Sequence, residues 1–374
     1  MKKNFDTSAL RKTAAEIQGA VVPKSITADM VGGLFSALVE AQGEVIEALG
    51  ALEREVVTVK VNGYDGDSRV SAAGAKVYVD IFSIGSVPTV ALPRQELTAN
   101  EEGIVTFEVF KGYQYAVFSK IERLSASFQL TFEACQDTRS VELWNFPLGV
   151  YLLGYATYYN EDDETMRNVA YISGRYVDAY EDPKAMWDAH DNESLEDAYF
   201  QAILVATEDT AFAIVSKRAE ATLTWAANRY YGKLVPHLPA FGLISEDWEA
   251  AVELARNDFD GNLNTAKIQA FCKSAAAVDF CTDTDALYTE QRFLPSAGQL
   301  FLIYINRTTI NSLISAANAN GYEFESIDTN YYWSSSQYDE FCAWRVSMYD
   351  GFTYNYTKYR DGYYVRAVSA FLKF

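Results

Sequence analysis

The sequence predicts an α+β chain in three parts: an N-terminal helix, a small β-sandwich and a mixed C-terminal domain. Three observations predict it. Apolar residues recur at helical spacing between Ile26 and Val56. The period then drops to two between Val57 and Pro147. From 148 to 374, alternating runs are interleaved with helical ones. A chain of 374 residues is long enough for two or three domains.

Residues 1–25 are polar and carry four Lys/Arg before Pro23, which suits an attachment arm. In 26–56, Val31, Leu34, Leu38, Ala41 and Val45 alternate steps of three and four, and Leu49, Leu52 and Val56 continue the stripe. Thr27 can cap its start. Such spacing over several heptads predicts a coiled coil, although Gly32, Gly33 and Gly43 each cost about 1 kcal/mol against Ala. The competing arrangement is one amphipathic helix lying on its own domain. In 57–147, Val57–Val61 and Lys76–Asp80 alternate. Asn62-Gly63, Asp65-Gly66, Glu102-Gly103 and Lys111-Gly112 mark the turns. Short strands at this spacing predict a sandwich.

The C-terminal part opens with the strand-like Gly149–Leu153. The acidic stretches at 161–164 and 179–197 suit solvated loops, and 201–216 reads as two strands about a Thr/Glu/Asp turn. Trp248–Ala255 is predicted helical. So is 296–319 as a single helix, with Leu300, Leu302, Ile303, Ile310, Leu313 and Ile314 apolar and Gly321 ending it.

Composition narrows the function. A formal charge of −20 opposes binding to nucleic acid or to anionic membranes. No apolar run is long enough to span a bilayer, and Met1–Ala20 lacks a signal-peptide core, so folding in a cytoplasm is expected. Cys135, Cys272, Cys281 and Cys342 are too sparse for a disulfide scaffold. His190 and His237 form no zinc pair. Asp258, Asp260, Asn262 and Asn264 alternate like calcium ligands, but the glycine is displaced and the twelfth position is Gln269. A turn that leads into the next helix fits better. No metal, cofactor or catalytic residue is expected.

Residues 331–364 hold 13 aromatics in 34 positions: nine Tyr, two Phe and two Trp. The chain as a whole is 14% aromatic. Ser, Asp, Asn, Thr, Gly and Arg fill most other positions. Rigid aromatic anchors among small polar residues are the vocabulary of binding loops. Burying them all beside Asp339, Glu340, Asp350, Arg360 and Asp361 would strand charges.

Within that segment, Trp333-Ser334-Ser335-Ser336, Ala343-Trp344, Gly351 and Tyr364-Val365-Arg366-Ala367-Val368 form a frame. It resembles the C-terminus of the variable proteins of diversity-generating retroelements, of the phage tropism-determinant type. Arg292–Leu300 and Asp258–Thr265 add to the likeness, which covers 148–374. It implies a C-type lectin-like domain of the formylglycine-generating-enzyme subtype. Gly74–Val79, Gly103–Phe107 and Gly112–Val117 likewise resemble immunoglobulin-like and carboxypeptidase-regulatory-like modules.

In that family, adenine-directed errors diversify Asn codons. The positions this rule nominates as ligand-binding are Asp339, Phe341, Cys342, Arg345, Ser347, Tyr349, Phe352, Tyr354, Tyr356, Tyr359, Arg360, Asp361 and Tyr363. Glu340, Met348 and Lys358 cannot arise that way and are expected to be fixed. Trp333, Trp344, Val365 and Val368 are expected in the core, with Ser334 and Ser335 satisfying backbone groups. The resemblance further implies a non-enzymatic receptor-binding protein at a phage tail-fibre tip, carried in the virion after synthesis in the host cytoplasm. It would bind a bacterial surface protein or glycan, trimerise through the helix, and meet other tail proteins through its N-terminal region. The alternatives are a bacterial cell-surface adhesin, opposed by the missing signal peptide, and a formylglycine-generating-type enzyme. Cys272 and Cys281, nine residues apart, and Cys342, inside the variable stretch, oppose the enzyme.

Overall fold

The computed structural model describes residues 53–65, 68–84, 94–160, 165–173, 195–215, 220–282, 292–319 and 322–369. Their architecture is mixed α+β and mostly β. The expected N-terminal arm and nearly all of the expected coiled coil lie outside these residues. At its last turn the helical expectation needs correcting: Arg54–Val56 already belong to a strand, because this backbone pairs with two neighbouring strands.

That strand, β1 (Arg54–Asp65), pairs antiparallel with β2 (Ser68–Ser71) and β5 (Ile104–Phe110), and parallel with β8 (Thr138–Trp144). A second four-stranded sheet runs in the order β4 (Gln95–Thr98), β3 (Lys76–Ile84), β6 (Tyr113–Lys120), β7 (Leu130–Glu133). The alternation explains the packing. Val57, Val59 and Val61 point inward and share one core with Val77, Val79 and Val117 of the opposite sheet. Glu55 lies on the same inward face. Its buried carboxylate is matched by Arg139, whose Nε donates at 2.5 Å, and by the Gln136 backbone N–H at 2.7 Å. A buried charge persists only with such partners.

The C-terminal region contains two further sheets. The six-stranded one runs β10 (Thr165–Ser173), β9 (Gly149–Asn160), β11 (Leu195–Ala206), β12 (Ala211–Val215), β19 (Val368–Ser369), β14 (Arg292–Phe293). The five-stranded one runs β13 (Glu220–Leu223), β18 (Tyr363–Arg366), β15 (Tyr331–Gln337), β16 (Cys342–Ser347), β17 (Thr353–Thr357). Six helices accompany them: α1 (Phe241–Ile244), α2 (Trp248–Arg256), α3 (Gly261–Phe271), α4 (Ala276–Thr282), α5 (Ala297–Ile305) and α6 (Arg307–Ala319).

Both faces of the six-stranded sheet are covered. Leu152, Ile203, Val205, Phe212 and Ile214 pack with Leu300, Ile303, Ile310 and Leu313 of the helices. The alternate residues Tyr151, Leu204 and Ala213 pack on Phe128 and Phe146 from the sandwich side. Apolar contact is therefore continuous across the Pro147/Leu148 boundary read from sequence. Arg94 adds a polar link, reaching Asp80 at 2.8 Å and Asp260 at 3.0 Å.

The single helix expected over 296–319 is two. It breaks at Asn306, whose side-chain amide donates to the Leu302 carbonyl at 2.9 Å. This local bond competes with helix continuation, as Asn side chains do. Helix α5 begins with a capping box: Ser296 Oγ accepts from Gln299 N, and the Gln299 side chain accepts from Ser296 N.

Candidate functional site

The five-stranded sheet rests on a buried frame. Trp333, Trp344, Val365 and Val368 are fully buried, as are Ser334, Ser335, Ser336 and Gln337. Ser334 Oγ donates to the Trp344 carbonyl at 2.7 Å and accepts from Ser336 N, and the Trp225 indole donates to the Ser334 carbonyl at 2.7 Å. Ser335 departs from expectation. Its backbone N–H reaches the Pro295 carbonyl at 2.8 Å, but its buried hydroxyl has no partner. Ser336 Oγ donates to Asp258 at 2.6 Å, tying the strand to the α2–α3 turn.

Asp258 organises that turn. Its carboxylate also accepts from Asp260 N at 3.0 Å and Asn264 Nδ2 at 2.8 Å, while its backbone carbonyl accepts from Ser296 Oγ. Burial, with the nearby Asp260 charge adding to it, pushes the carboxyl up to about 6. Among the described residues no cluster of His, Cys, Asp or Glu is arranged to hold a metal.

Lys358 is the other buried polar anchor, 2% exposed. Its ammonium donates to Gln337 Oε1 at 2.9 Å and to the Asp339 carbonyl at 2.8 Å, so it holds the 338–341 loop against the sheet. Gln337 Oε1 also accepts from Val235 N, fastening the 227–238 segment to the same strand. Burial draws the Lys358 amine down to about 8, against the pull of neighbouring groups such as Asp339. Met348 is also buried and Glu340 half-buried.

The nominated side chains distribute along the β16–β17 hairpin. At one end, Phe341 (39% exposed) and Tyr359 gather on Tyr231, with ring centroids 5.0 and 4.7 Å away, and Arg360 and Asp361 are exposed beside them in sequence. At the middle, Arg345 stacks on Tyr356 and Tyr363. At the other end, Tyr349 is 76% exposed and Phe352 54%, with Tyr354 beside Phe352 at 5.5 Å. Five paired residues set this span at roughly 17 Å.

Three nominations need correcting or refining. Ser347 is 2% exposed and lies off the outer surface. Its backbone closes the turn with Phe352 and Gly351, and its hydroxyl accepts from Tyr349 N at 3.3 Å. Asp339 is half-buried. Its carboxylate accepts from Phe341 N and Cys342 N at 2.7 and 2.6 Å, so it shapes the loop that presents Phe341. Cys342 is half-buried, and burial pushes its thiol up to about 11.

Sequence reasoning missed the flanking contributors. Among the described residues, every exposed large apolar side chain lies between Tyr231 and Tyr354. Tyr231 of the 227–238 segment, Leu243 and Ile244 of α1 and Trp248 of α2 add exposed apolar surface beside the aromatic hairpin. Trp248 lies 5.4 Å from Trp344 and 6.2 Å from Tyr354, and with Val252, Glu249, Glu253, Phe352 and Tyr354 it lines a groove of about 550 Å³. The available signal was Trp248 and Val252 four apart beside Glu249 and Glu253, an apolar pair on an otherwise acidic helix surface.

No family profile matches the chain, and no curated protein matches it. Solved structures with local likeness include a carbohydrate-binding candidate from Pseudomonas aeruginosa, 12% identical, covering 26% of this chain and 95% of that one, with TM-score 0.20. A minor pilin of Streptococcus agalactiae is 13% identical over 26% of this chain and 46% of its own, TM-score 0.20. The shaft pilin SpaA of Lactobacillus rhamnosus GG is 11% identical over 33% and 80%, TM-score 0.22. Values this low carry no argument about fold or function.

Proposed function

We propose that this chain is a receptor-binding protein whose C-terminal domain is a C-type lectin-like variable domain of the diversity-generating-retroelement kind. It grips its target with the aromatic hairpin of 331–364 and acts at the tip of a phage tail fibre. The observation that carries this reading is the location of exposed apolar side chains. Among the described residues they lie on this hairpin, on the 227–238 segment, on α1 and α2 and at the end of α5, with the frame of the hairpin fully buried. Aromatic residues and Arg over a rigid scaffold are what dominate binding energy at interfaces. In this reading the target is a bacterial surface protein or glycan. The N-terminal segment, which lies outside the described residues, joins three copies and attaches them to other tail proteins, and the assembled protein is carried in the virion. Three joined copies would multiply a modest single-site affinity.

The reading is non-enzymatic. Cys272 and Cys281 are buried, and burial raises the Cys272 thiol to about 11 and Cys281 further still. A reactive thiol requires the opposite shift.

The test is binding of the labelled protein to a panel of bacterial cells. Replacing Tyr349, Phe352 and Tyr354 together with Ala should abolish labelling of the target strain. The melting temperature should move by only a few degrees, because surface substitutions shift stability by about 0.5 kcal/mol or less each. Unchanged labelling by the folded variant would remove the reading.

A further inference from the structure

Arg345 sits on the central part of the hairpin, in β16. Its guanidinium carbon lies 4.1 Å from the ring centroids of Tyr331 and Tyr363 and 4.5 Å from that of Tyr356. The three rings come from three strands, β15, β17 and β18. The rings brace one another: Tyr356 and Tyr363 meet edge-on at 5.3 Å, and Tyr331 and Tyr363 at 6.0 Å. The sheet itself therefore fixes the guanidinium through three cation–π contacts.

This fixed cation has no acceptor. Several other arginines are engaged. Arg54, Arg94 and Arg139 take carboxylates, and Arg256 and Arg366 take backbone carbonyls. Arg345 makes no hydrogen bond or ion pair with any described residue, and its Nε is buried with no partner. Arg345 is half-buried, and its two Nη groups, unlike Nε, retain contact with solvent. The exposed Asp361, two residues from Tyr363, makes no ion pair with it. That is unusual in a chain with 51 acidic residues against 31 basic ones.

We infer that Arg345 is the carboxylate anchor of the receptor site: it receives, two-pronged, an Asp or Glu side chain presented by a protein receptor. This rests on the receptor-binding reading above and names the chemistry of its target. A planar guanidinium stacked on aromatics and open along its donor edge suits bidentate recognition of a carboxylate. A protein is favoured over an acidic sugar by the exposed side chains beside the cation: Tyr354, which pairs with Arg345 across the hairpin, and Phe352, 5.5 Å from the Tyr354 ring, present apolar surface that matches an apolar protein patch. The overall charge of −20 sharpens the assignment further. Beyond a Debye length of about 8 Å the field is screened, but an extended acidic surface would still be repelled on approach. The match is therefore one local carboxylate rather than an extended acidic surface.

The test uses the full chain on the bacterial strain it labels. Arg345→Gln should weaken labelling about 10- to 100-fold, the scale of losing a charge-assisted pair. Arg345→Lys should recover at most part of it, having the charge without the fork. Amidating cell-surface carboxylates with carbodiimide and ethanolamine should reduce wild-type labelling to the Arg345→Gln level and leave that variant unchanged. Proteinase K shaving of the cells should remove labelling. The inference is overturned if Arg345→Gln labels like wild type, if amidation weakens both proteins equally, or if labelling survives proteolysis, which would put the acid on a glycan. Should Arg345→Gln fail to fold, amidation read on wild type and Arg345→Lys decides the matter. Labelling that depends on Tyr349, Phe352 and Tyr354 but not on Arg345 would sink this inference alone.

Discussion

Lys358 holds its charge where water is nearly excluded, and its role is to tether a displayed loop. Its ammonium bonds Gln337 and the Asp339 carbonyl just below Phe341. Lys358→Met keeps the volume but leaves the Asp339 carbonyl unpaired, which should cost about 1–3 kcal/mol in urea unfolding. The pH dependence has a definite sign. Burial, the largest influence, draws the folded amine down to about 8, whereas an unfolded lysine titrates near 10.4. Between these values the unfolded chain binds more protons, so stability from this group rises as pH increases from 8 to about 10. The wild-type margin over Lys358→Met should widen over that window. A constant margin would mean that the amine is not desolvated.

At the scale of elements, the β16–β17 hairpin is shaped by its turn. Gly351 adopts φ +74°, and a Cβ there would run into the Tyr304 ring. A left-handed non-glycine residue costs roughly 1–2 kcal/mol, and overpacking a further 1–3 kcal/mol. Gly351→Ala should therefore lower stability by about 2–5 kcal/mol and weaken binding by moving Tyr349 and Phe352, read by unfolding and cell labelling together. This turn also explains one limit of the sequence reading. Ser347 fits the codon rule for diversification, yet its backbone bonds to Phe352 and Gly351 bury it. The codon rule describes what a position can become and says nothing about which way a side chain points once a turn closes.

Across the whole molecule, Asp258 joins the α2–α3 turn, the start of α5 and strand β15 through bonds to Asn264, Ser296 and Ser336. Burial raises its carboxyl to about 6, above the ordinary 3.9 of an unfolded aspartate. The native state therefore binds more protons between those values. The stability this group contributes is full below about pH 4 and is lost as pH rises through 6. Asp258→Asn should be less stable than wild type at pH 7, having two fewer acceptor bonds, and the gap should grow at pH 4.5. A gap that shrinks on acidification would contradict the buried-carboxyl assignment.

Much of this was legible in order of locality. The alternating valines of β1 and the helical run at Trp248 follow from period alone, since burial of one face leaves a repeat in the sequence. The Trp-Ser-Ser-Ser and Ala-Trp frame marked residues that the fold buries, with exposed aromatics between them. The break at Asn306 and the strand at Arg54–Val56 were not legible. A competing side-chain bond and two neighbouring strands decided them, and neither leaves a periodic trace.

The sequence by itself determined the α+β class, the alternating strands at Val57–Val61 and Lys76–Asp80 and the aromatic stretch near the C-terminus, because each is written in composition or spacing over consecutive residues. Only the tertiary structure decided that Trp248 and Tyr231 join that stretch, that Ser347 leaves it, and that three tyrosines from three strands enclose Arg345 without an acceptor. Those relations depend on which distant strands become neighbours, and a one-dimensional pattern carries no distance between residues far apart in the chain.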